Sequence, residues 1–166
     1  MSKKDFELTA IMRDDLMAAY RDVVSSCYTQ KQAWEKTVKH PAPRYYVSAK
    51  QAHDVLRKMV KGDFSEVDAF RPQKKSMYYS LYRKLLEMSQ QREYLKKSLW
   101  YICQFLVIQP APEFFLSTSA LQKNFMLYKK YGKYFRENKI YKHKNKESDN
   151  NTMRTNANNG DKDRVQ

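Results

Sequence analysis

The sequence has few glycines and few prolines, with 3 and 5 of them among 166 residues. Phosphate-binding loops and the many tight turns of a β-barrel both need glycine, whereas helices joined by short connections do not. Hydrophobic residues make up 42% of the chain and aromatic residues 14%, which is enough to bury a core. We therefore expect an all-α protein.

Cysteine and long apolar runs are scarce as well. Cys27 and Cys103 both fall among apolar residues on helical patterns and form no CxxC pair, so we expect buried, reduced thiols. The longest apolar stretch, around residues 99–108, is too short and too interrupted by polar residues to span a bilayer. No apolar segment follows the charged start of the chain. These features predict a soluble cytoplasmic protein with no membrane partner.

The sequence also lacks a catalytic or metal-binding pattern. The three histidines, His40, His53 and His143, are scattered, and none has a second ligand at metal spacing. No nucleophile lies near a histidine and an acid in a suggestive arrangement, and no pair of carboxylates stands out. We therefore expect no enzyme activity, no cofactor and no metal.

What the sequence does contain is a repeated segment. Residues 41–48, Pro-Ala-Pro-Arg-Tyr-Tyr-Val-Ser, return 69 positions later as residues 110–117, Pro-Ala-Pro-Glu-Phe-Phe-Leu-Ser. Each proline disfavours helix in the residue before it, and the aromatic and β-branched residues that follow favour extended chain. We expect each of these PAP segments to be a stiff extended turn between two helices, and this purely structural role is the simplest interpretation of them.

Apolar spacing predicts helices before and after each PAP segment. Thr29 and Ser48 each have a glutamine three residues on, which is the capping-box arrangement at a helix start, and Gly62 suits a left-handed helix end. The predicted helices cover about residues 9–28, 30–40, 49–62, 78–88, 95–106 and 118–132. The fifth is apolar nearly all round, so we expect it to run through the centre of the fold.

The prediction is therefore an all-α fold of about six helices in two pseudo-repeats, each with the order helix, helix, PAP turn, helix. The pseudo-repeats cover about residues 9–62 and 74–132, and the charged, non-periodic residues 63–73 are interpreted as a linker. Residues 1–141 are expected to form the helical domain. Residues 142–166 have almost nothing to bury and are expected to be a disordered basic and polar tail.

Positive charge is concentrated in the repeats. The net charge is +14, and residues 29–62 carry 8 basic against 2 acidic groups, whereas residues 1–28 carry 4 against 5. Such a field attracts polyanions and speeds their encounter, so nucleic acid is the leading partner, with DNA favoured over RNA.

The helix after the first PAP segment is the principal candidate site. Its Lys50, Asp54, Arg57 and Lys61 lie at i, i+4, i+7 and i+11, opposite the apolar face. A capped helix with a basic outer face resembles the reading helix of a helix-turn-helix, although the turn of about eight residues is longer than usual. The alternative is an ordinary solvated surface. The candidate nucleic-acid-binding residues are Arg44, Lys50, His53, Arg57, Lys58, Lys61, Lys123, Lys129, Lys130 and Lys133.

Residues 40–48 and 109–117 also resemble segments of a group of small basic proteins encoded in Bacteroidetes genomes and their mobile elements or phages. Members carry a PAPRFY-type segment followed by Val-Ser early in the chain and a PAPEFY-type segment late. The resemblance covers about residues 10–132 and implies no established activity. It implies that both turns belong to one compact unit and that the protein serves a mobile element or phage.

A protein–protein adaptor, or a small structural component of a mobile element or phage, is the alternative function. In that case the aromatic surfaces of the repeats would dock onto a partner, or the acidic residues 1–28 would pair with the basic repeats of a second copy in a homo-oligomer.

Overall fold

The computed structural model describes the backbone of residues 3–131 and the side chains of residues 8–130. This part of the chain is helical and contains no β-strand, so the predicted all-α class is confirmed. The helices are α1 (Lys3–Val24), α2 (Gln30–Val38), α3 (Ala49–Val60), α4 (Ser65–Asp68), α5 (Pro72–Ser89), α6 (Leu99–Leu106) and α7 (Thr118–Tyr131). The predicted tail, residues 142–166, lies outside the described residues.

The chain divides into two compact units, residues 1–126 and residues 127–166. The first unit contains α1 to α6 and α7 as far as Met126. Of the second unit, the structure describes residues 127–131, which complete α7.

Four hydroxyl side chains define helix starts. Thr29, Ser48, Ser98 and Ser117 each accept a hydrogen bond from the backbone N–H three residues later, at 3.2, 3.3, 3.2 and 3.2 Å. Thr29 and Ser98 are 69 positions apart, as are Ser48 and Ser117. Each bond satisfies a donor that the helix itself leaves unpaired, which explains why these helices begin where they do.

Several boundaries differ from the sequence prediction. Helix α1 covers Lys3–Val24 where about residues 9–28 were predicted, and α5 begins at Pro72, inside the predicted linker, where a start near residue 78 was predicted. The predicted linker contains the single-turn helix α4, which is too short to show a periodic pattern. The helix expected from about residue 95 begins only at Leu99, because Lys96 has left-handed backbone at φ 67° and ends any helical path through it. Gly62, with φ 85°, is the predicted left-handed residue after α3.

The two PAP segments cross and pair with each other. The Ala42 N–H donates to the Ala111 carbonyl at 3.0 Å, and the Ala111 N–H donates to the Ala42 carbonyl at 2.9 Å, forming an isolated antiparallel bridge. Both alanines are buried. Each alanine lies between two prolines, which have no N–H, and the bridge pairs the N–H and carbonyl of both alanines. The two extended turns therefore stabilise each other.

Flanking contacts extend this crossover on both sides. The Tyr45 N–H donates to the Val107 carbonyl at 3.1 Å, and 69 positions on, the Phe114 N–H donates to the Val38 carbonyl at 3.2 Å. The aromatic rings stack in the same reciprocal way, Tyr45 on Phe115 at 6.1 Å and Tyr46 on Phe114 at 5.8 Å between centroids. Each of these backbone bonds and ring contacts of one PAP segment therefore has an equivalent made by the other.

The crossover interleaves the helices of the two halves. α3 packs against α6 and α5, while α1 packs against α2. The α1–α7 contact is made by Tyr20 and Phe125, whose ring centroids are 5.0 Å apart, and by Arg13 Nε, which donates to Asn124 Oδ1 at 2.8 Å. The third helix of the first half thus packs onto helices of the second.

This packing corrects the helix-turn-helix expectation for α2 and α3. In that motif the two consecutive helices pack on each other, whereas the main partners of α3 within the described residues are α6 and α5. The physical reason is the PAP segment, whose extended backbone and pairing with the other segment carry the chain away from α2 before α3 begins.

Candidate nucleic-acid interface

Helix α3 has two sharply different faces. Ala52, Val55, Leu56 and Met59 are buried, with Leu56 and Met59 fully inaccessible. Lys50, Asp54, Arg57 and Lys61 are exposed on the other side. We call Lys50, Arg57 and Lys61 the α3 cationic row. Its position follows from the helical repeat, because burying one face directs residues at i, i+7 and i+11 outward.

The α3 cationic row keeps its charge available. Among the side chains that the structure describes, none forms a salt bridge with Lys50, Arg57 or Lys61. Lys58 differs, because its Nζ lies 2.8 Å from Glu66 Oε2, and this hydrogen bond raises the pKa of the lysine. The charge of Lys58 is therefore partly compensated by Glu66, which makes Lys58 a weaker candidate for a phosphate than the three residues of the row.

His53 lies at the edge of the α3 cationic row and is only partly accessible. Its side chain is 24% exposed, and Nδ1 is 3.4 Å from Asp54 Oδ1. Its ring meets the Trp100 ring edge to face, with centroids 5.5 Å apart. His53 therefore packs between α3 and α6, and its partly exposed ring is also a candidate contact for a ligand.

Arg44 lies in the crossover and not on α3. Its Nε is buried and has no hydrogen-bond acceptor among the described residues. Near it, the Tyr46 hydroxyl donates to Asp15 Oδ2 at 2.7 Å. Burial and this hydrogen bond raise the pKa of Tyr46, while the charge of Arg44 acts in the opposite direction. At the equivalent position of the second PAP segment stands Glu113, so any anion contact here belongs to the first half alone.

The candidates on α7 are less concentrated. Lys123 is exposed and belongs to the first unit, where the positions equivalent to Lys50 and Arg57 hold Ser119 and the 66% exposed Met126. Lys129 and Lys130 are exposed at the end of α7, in the second unit, and Lys133 lies outside the described residues. Within the first unit, the basic row predicted for the second repeat therefore contains a single cation, Lys123.

The described residues contain no group of three or more His, Cys, Asp or Glu side chains that could hold a metal ion. None of the helices that the structure describes combines the length and apolar character needed to cross a membrane. Both cysteines are free thiols, but only Cys103 is buried. Cys27 is half-buried, contrary to expectation, because it follows the end of α1 in a turn.

The prediction that α6 runs through the centre of the fold is wrong for one of its faces. Ile102, Cys103 and Leu106 are buried, but Trp100 and Tyr101 are 45% and 40% exposed. Because the helix is apolar nearly all round, its sequence offers no polar face to show which side lies outward. This exposed aromatic surface was not among the candidate site residues.

Comparison of the chain with protein-family models, with curated protein sequences and with solved structures finds no match.

Proposed function

We propose that this protein is a nucleic-acid-binding accessory or regulatory protein that contacts the phosphates of double-stranded DNA through the α3 cationic row. The observation that carries the proposal is that Lys50, Arg57 and Lys61 share one exposed face and form no salt bridge with a described side chain, although Asp54 lies on the same face. Cations that meet a polyanion release the salt ions bound to it, and this release is the main source of affinity in phosphate-led binding.

The dimensions of the row suit a nucleic-acid backbone. At about 1.5 Å of rise per residue, Lys50 and Lys61 are about 16 Å apart along the helix axis. Duplex DNA carries one negative charge per about 1.7 Å of its own axis, so the row can meet several phosphates at once.

The helical form of the site favours DNA over RNA. The major groove of B-DNA, about 12 Å wide, admits a helix, whereas the major groove of an A-form duplex is too deep and narrow for side chains to read.

A fluorescence-anisotropy titration with a labelled duplex of about 20 base pairs tests the proposal across a series of salt concentrations. If about five phosphates are neutralised, log affinity falls against log salt with a slope of about −4 to −5. A duplex RNA of the same sequence should compete more weakly than the DNA.

The site is tested with the variant K50Q/R57Q/K61Q. Removing three phosphate contacts should make the slope shallower by about 3 and weaken binding at low salt by at least about tenfold. The matched control is K31Q/K36Q/K39Q, which removes the same charge from the exposed side of α2. Equal losses in both variants, or no binding by the unmodified protein at low salt, would refute the proposal.

A further inference from the structure

The outward side of α6 carries an apolar surface that the core does not use. We define the α6 outer face as Leu95, Trp100, Tyr101, Phe105 and Ile108. Leu95 and Ile108 are 55% and 50% exposed, and Phe105 is half-buried. The rings of Tyr101 and Phe105 lie 4.9 Å apart between centroids. Side chains at i and i+4 of one helix share a face, so Tyr101 and Phe105 form a stripe on α6, and the exposed Ile108 follows in the turn after the helix.

The other half of the molecule shows that the fold does not require these residues to be apolar. At the positions 69 residues earlier, α2 and its flanks place Ser26, Lys31, Gln32, Lys36 and Lys39, all of them exposed. In the first half, Lys36 Nζ lies 3.3 Å from the Ser26 carbonyl and 3.4 Å from the Ser26 hydroxyl. The residues equivalent to Lys36 and Ser26 in the second half are Phe105 and Leu95.

The inward positions of the two helices, in contrast, are buried in both halves. Ala33 and Ile102 are equivalent and buried, as are Val38 and Val107. Polar side chains occupy the equivalent positions on and beside α2, so the fold does not require apolar side chains there, although Trp100 also packs against His53 of α3. Contiguous exposed apolar side chains with a polar rim are characteristic of interaction sites.

We propose that the α6 outer face is a docking site for an amphipathic helix of a partner protein, with acidic residues along the flanks of that helix. The charge around the face determines this choice. Arg92, Lys96 and Lys97 are exposed in the segment that leads into α6, and Glu93 is the one acid in residues 92–108. Lys97 Nζ lies 5.2 Å from the centre of the Tyr101 ring, so positive charge borders the stripe directly. A helix laid on such a stripe buries its apolar residues and pairs its acids with the rim.

Two other occupants fit this surface less well. A second copy of the chain in a symmetric dimer would bring the basic rims of two +14 molecules together, which is unfavourable. A nucleic acid would stack bases on Trp100 or Tyr101, but Leu95 and Ile108 offer no ring for stacking. The α6 outer face thus serves a protein, and this inference does not depend on nucleic-acid binding by α3.

The test uses the full chain and a labelled synthetic helical peptide of about 18 residues, with leucine and phenylalanine at i, i+3, i+4 and i+7 and glutamate on both flanks. A twin peptide has lysine in place of every glutamate. We expect micromolar binding of the acidic peptide and at least about tenfold weaker binding of the twin.

The variant W100K/Y101Q/I108K introduces at each position the residue that α2 carries at the equivalent position. We expect at least about a tenfold loss of peptide binding with unchanged helical circular dichroism and no loss of DNA affinity, because the substitutions add two positive charges. Y101Q and I108K, made singly, should each weaken the complex if the triple variant does not fold. The control K31Q/K36Q/K39Q should bind the peptide as tightly as the unmodified protein.

The proposal is overturned if neither peptide binds, if both bind equally, or if the α6 substitutions leave binding unchanged. It is also overturned if sedimentation shows a stable dimer that these substitutions dissociate, because the face is then the interface with a second copy of the chain. Loss of DNA binding in W100K/Y101Q/I108K would assign the face to nucleic acid instead.

Discussion

At the residue scale, two tyrosines of the first PAP segment tie the crossover to the helices around it. The Tyr45 hydroxyl lies 2.9 Å from the Ser80 hydroxyl on α5, and the Tyr46 hydroxyl donates to Asp15 on α1. Their equivalents are Phe114 and Phe115, which stack but have no hydroxyl. The two halves therefore share ring packing, while these hydrogen bonds are made only by the first half.

Removing the Tyr46 hydroxyl should destabilise the fold. Tyr46→Phe loses the 2.7 Å bond to Asp15 and leaves a half-buried carboxylate without that donor, which costs about 1–2 kcal/mol. Urea unfolding followed by circular dichroism measures the change. Tyr28→Phe is the control, because Tyr28 is 98% exposed and its hydroxyl has no partner among the described residues. Equal stability of the two variants would contradict the expected role of the bond.

The two thiols should differ in reactivity. Burial disfavours the Cys103 thiolate and raises its pKa to about 11, whereas Cys27 lies half-buried in a turn after α1. Iodoacetamide at pH 8 should therefore modify Cys27 first and reach Cys103 only on unfolding, as followed by mass spectrometry. The Cys27→Ser variant should resist modification in buffer and react in 6 M urea. Rapid labelling of the folded variant would show that Cys103 is accessible.

Stability should fall in alkaline solution, in part through Tyr78. Burial raises the pKa of its hydroxyl from 10.0 to about 12. Since the folded state holds this proton more tightly than the unfolded chain, the contribution of Tyr78 is complete below about pH 10 and is lost as the pH rises toward about 12. The free energy of unfolding, measured in urea at several pH values from 9 to 11, should decrease less steeply for Tyr78→Phe than for the unmodified protein. Parallel curves would argue against this linkage.

At the element scale, hydroxyl caps account for most of the predicted helix starts. The prediction placed caps at Thr29 and Ser48, and the structure has both bonds, with equivalent bonds to Ser98 and Ser117. It missed α4, which has four residues and no side-chain cap. It also began α6 too early, because a string of apolar residues cannot show where a left-handed residue such as Lys96 interrupts it.

Removing either equivalent cap should cost the same amount. Ser48→Ala and Ser117→Ala each leave a helix N–H without its acceptor, which destabilises the protein by about 1 kcal/mol. Thermal unfolding of the single and double variants measures the two effects and their additivity. The exposed Ser25→Ala, which removes no cap, should leave stability nearly unchanged. A large difference between Ser48→Ala and Ser117→Ala would show that the two helix starts are not equivalent.

At the scale of the whole molecule, interleaving should hold the two halves together without a continuous chain. α3 packs on α5 and α6, and Ala42 pairs with Ala111, so each half contributes to the packing of the other. A protease site inserted between Gly62 and Asp63, both exposed, can be cleaved after folding. The two fragments should then elute together in size-exclusion chromatography in buffer and separate in denaturant. Separation in buffer would mean that each half folds alone.

The sequence by itself determined most of the helical stretches and the two extended segments, because helix periodicity, proline and hydroxyl caps act over a few neighbouring residues. It also determined the outward position of Lys50, Arg57 and Lys61, since one buried helix face directs the opposite face to solvent. Only the tertiary structure decided that the PAP segments pair with each other, that α3 packs on the second half, and that one face of α6 remains uncovered. These features depend on contacts between residues far apart in the chain, and local patterns carry no information about which distant partner a side chain meets.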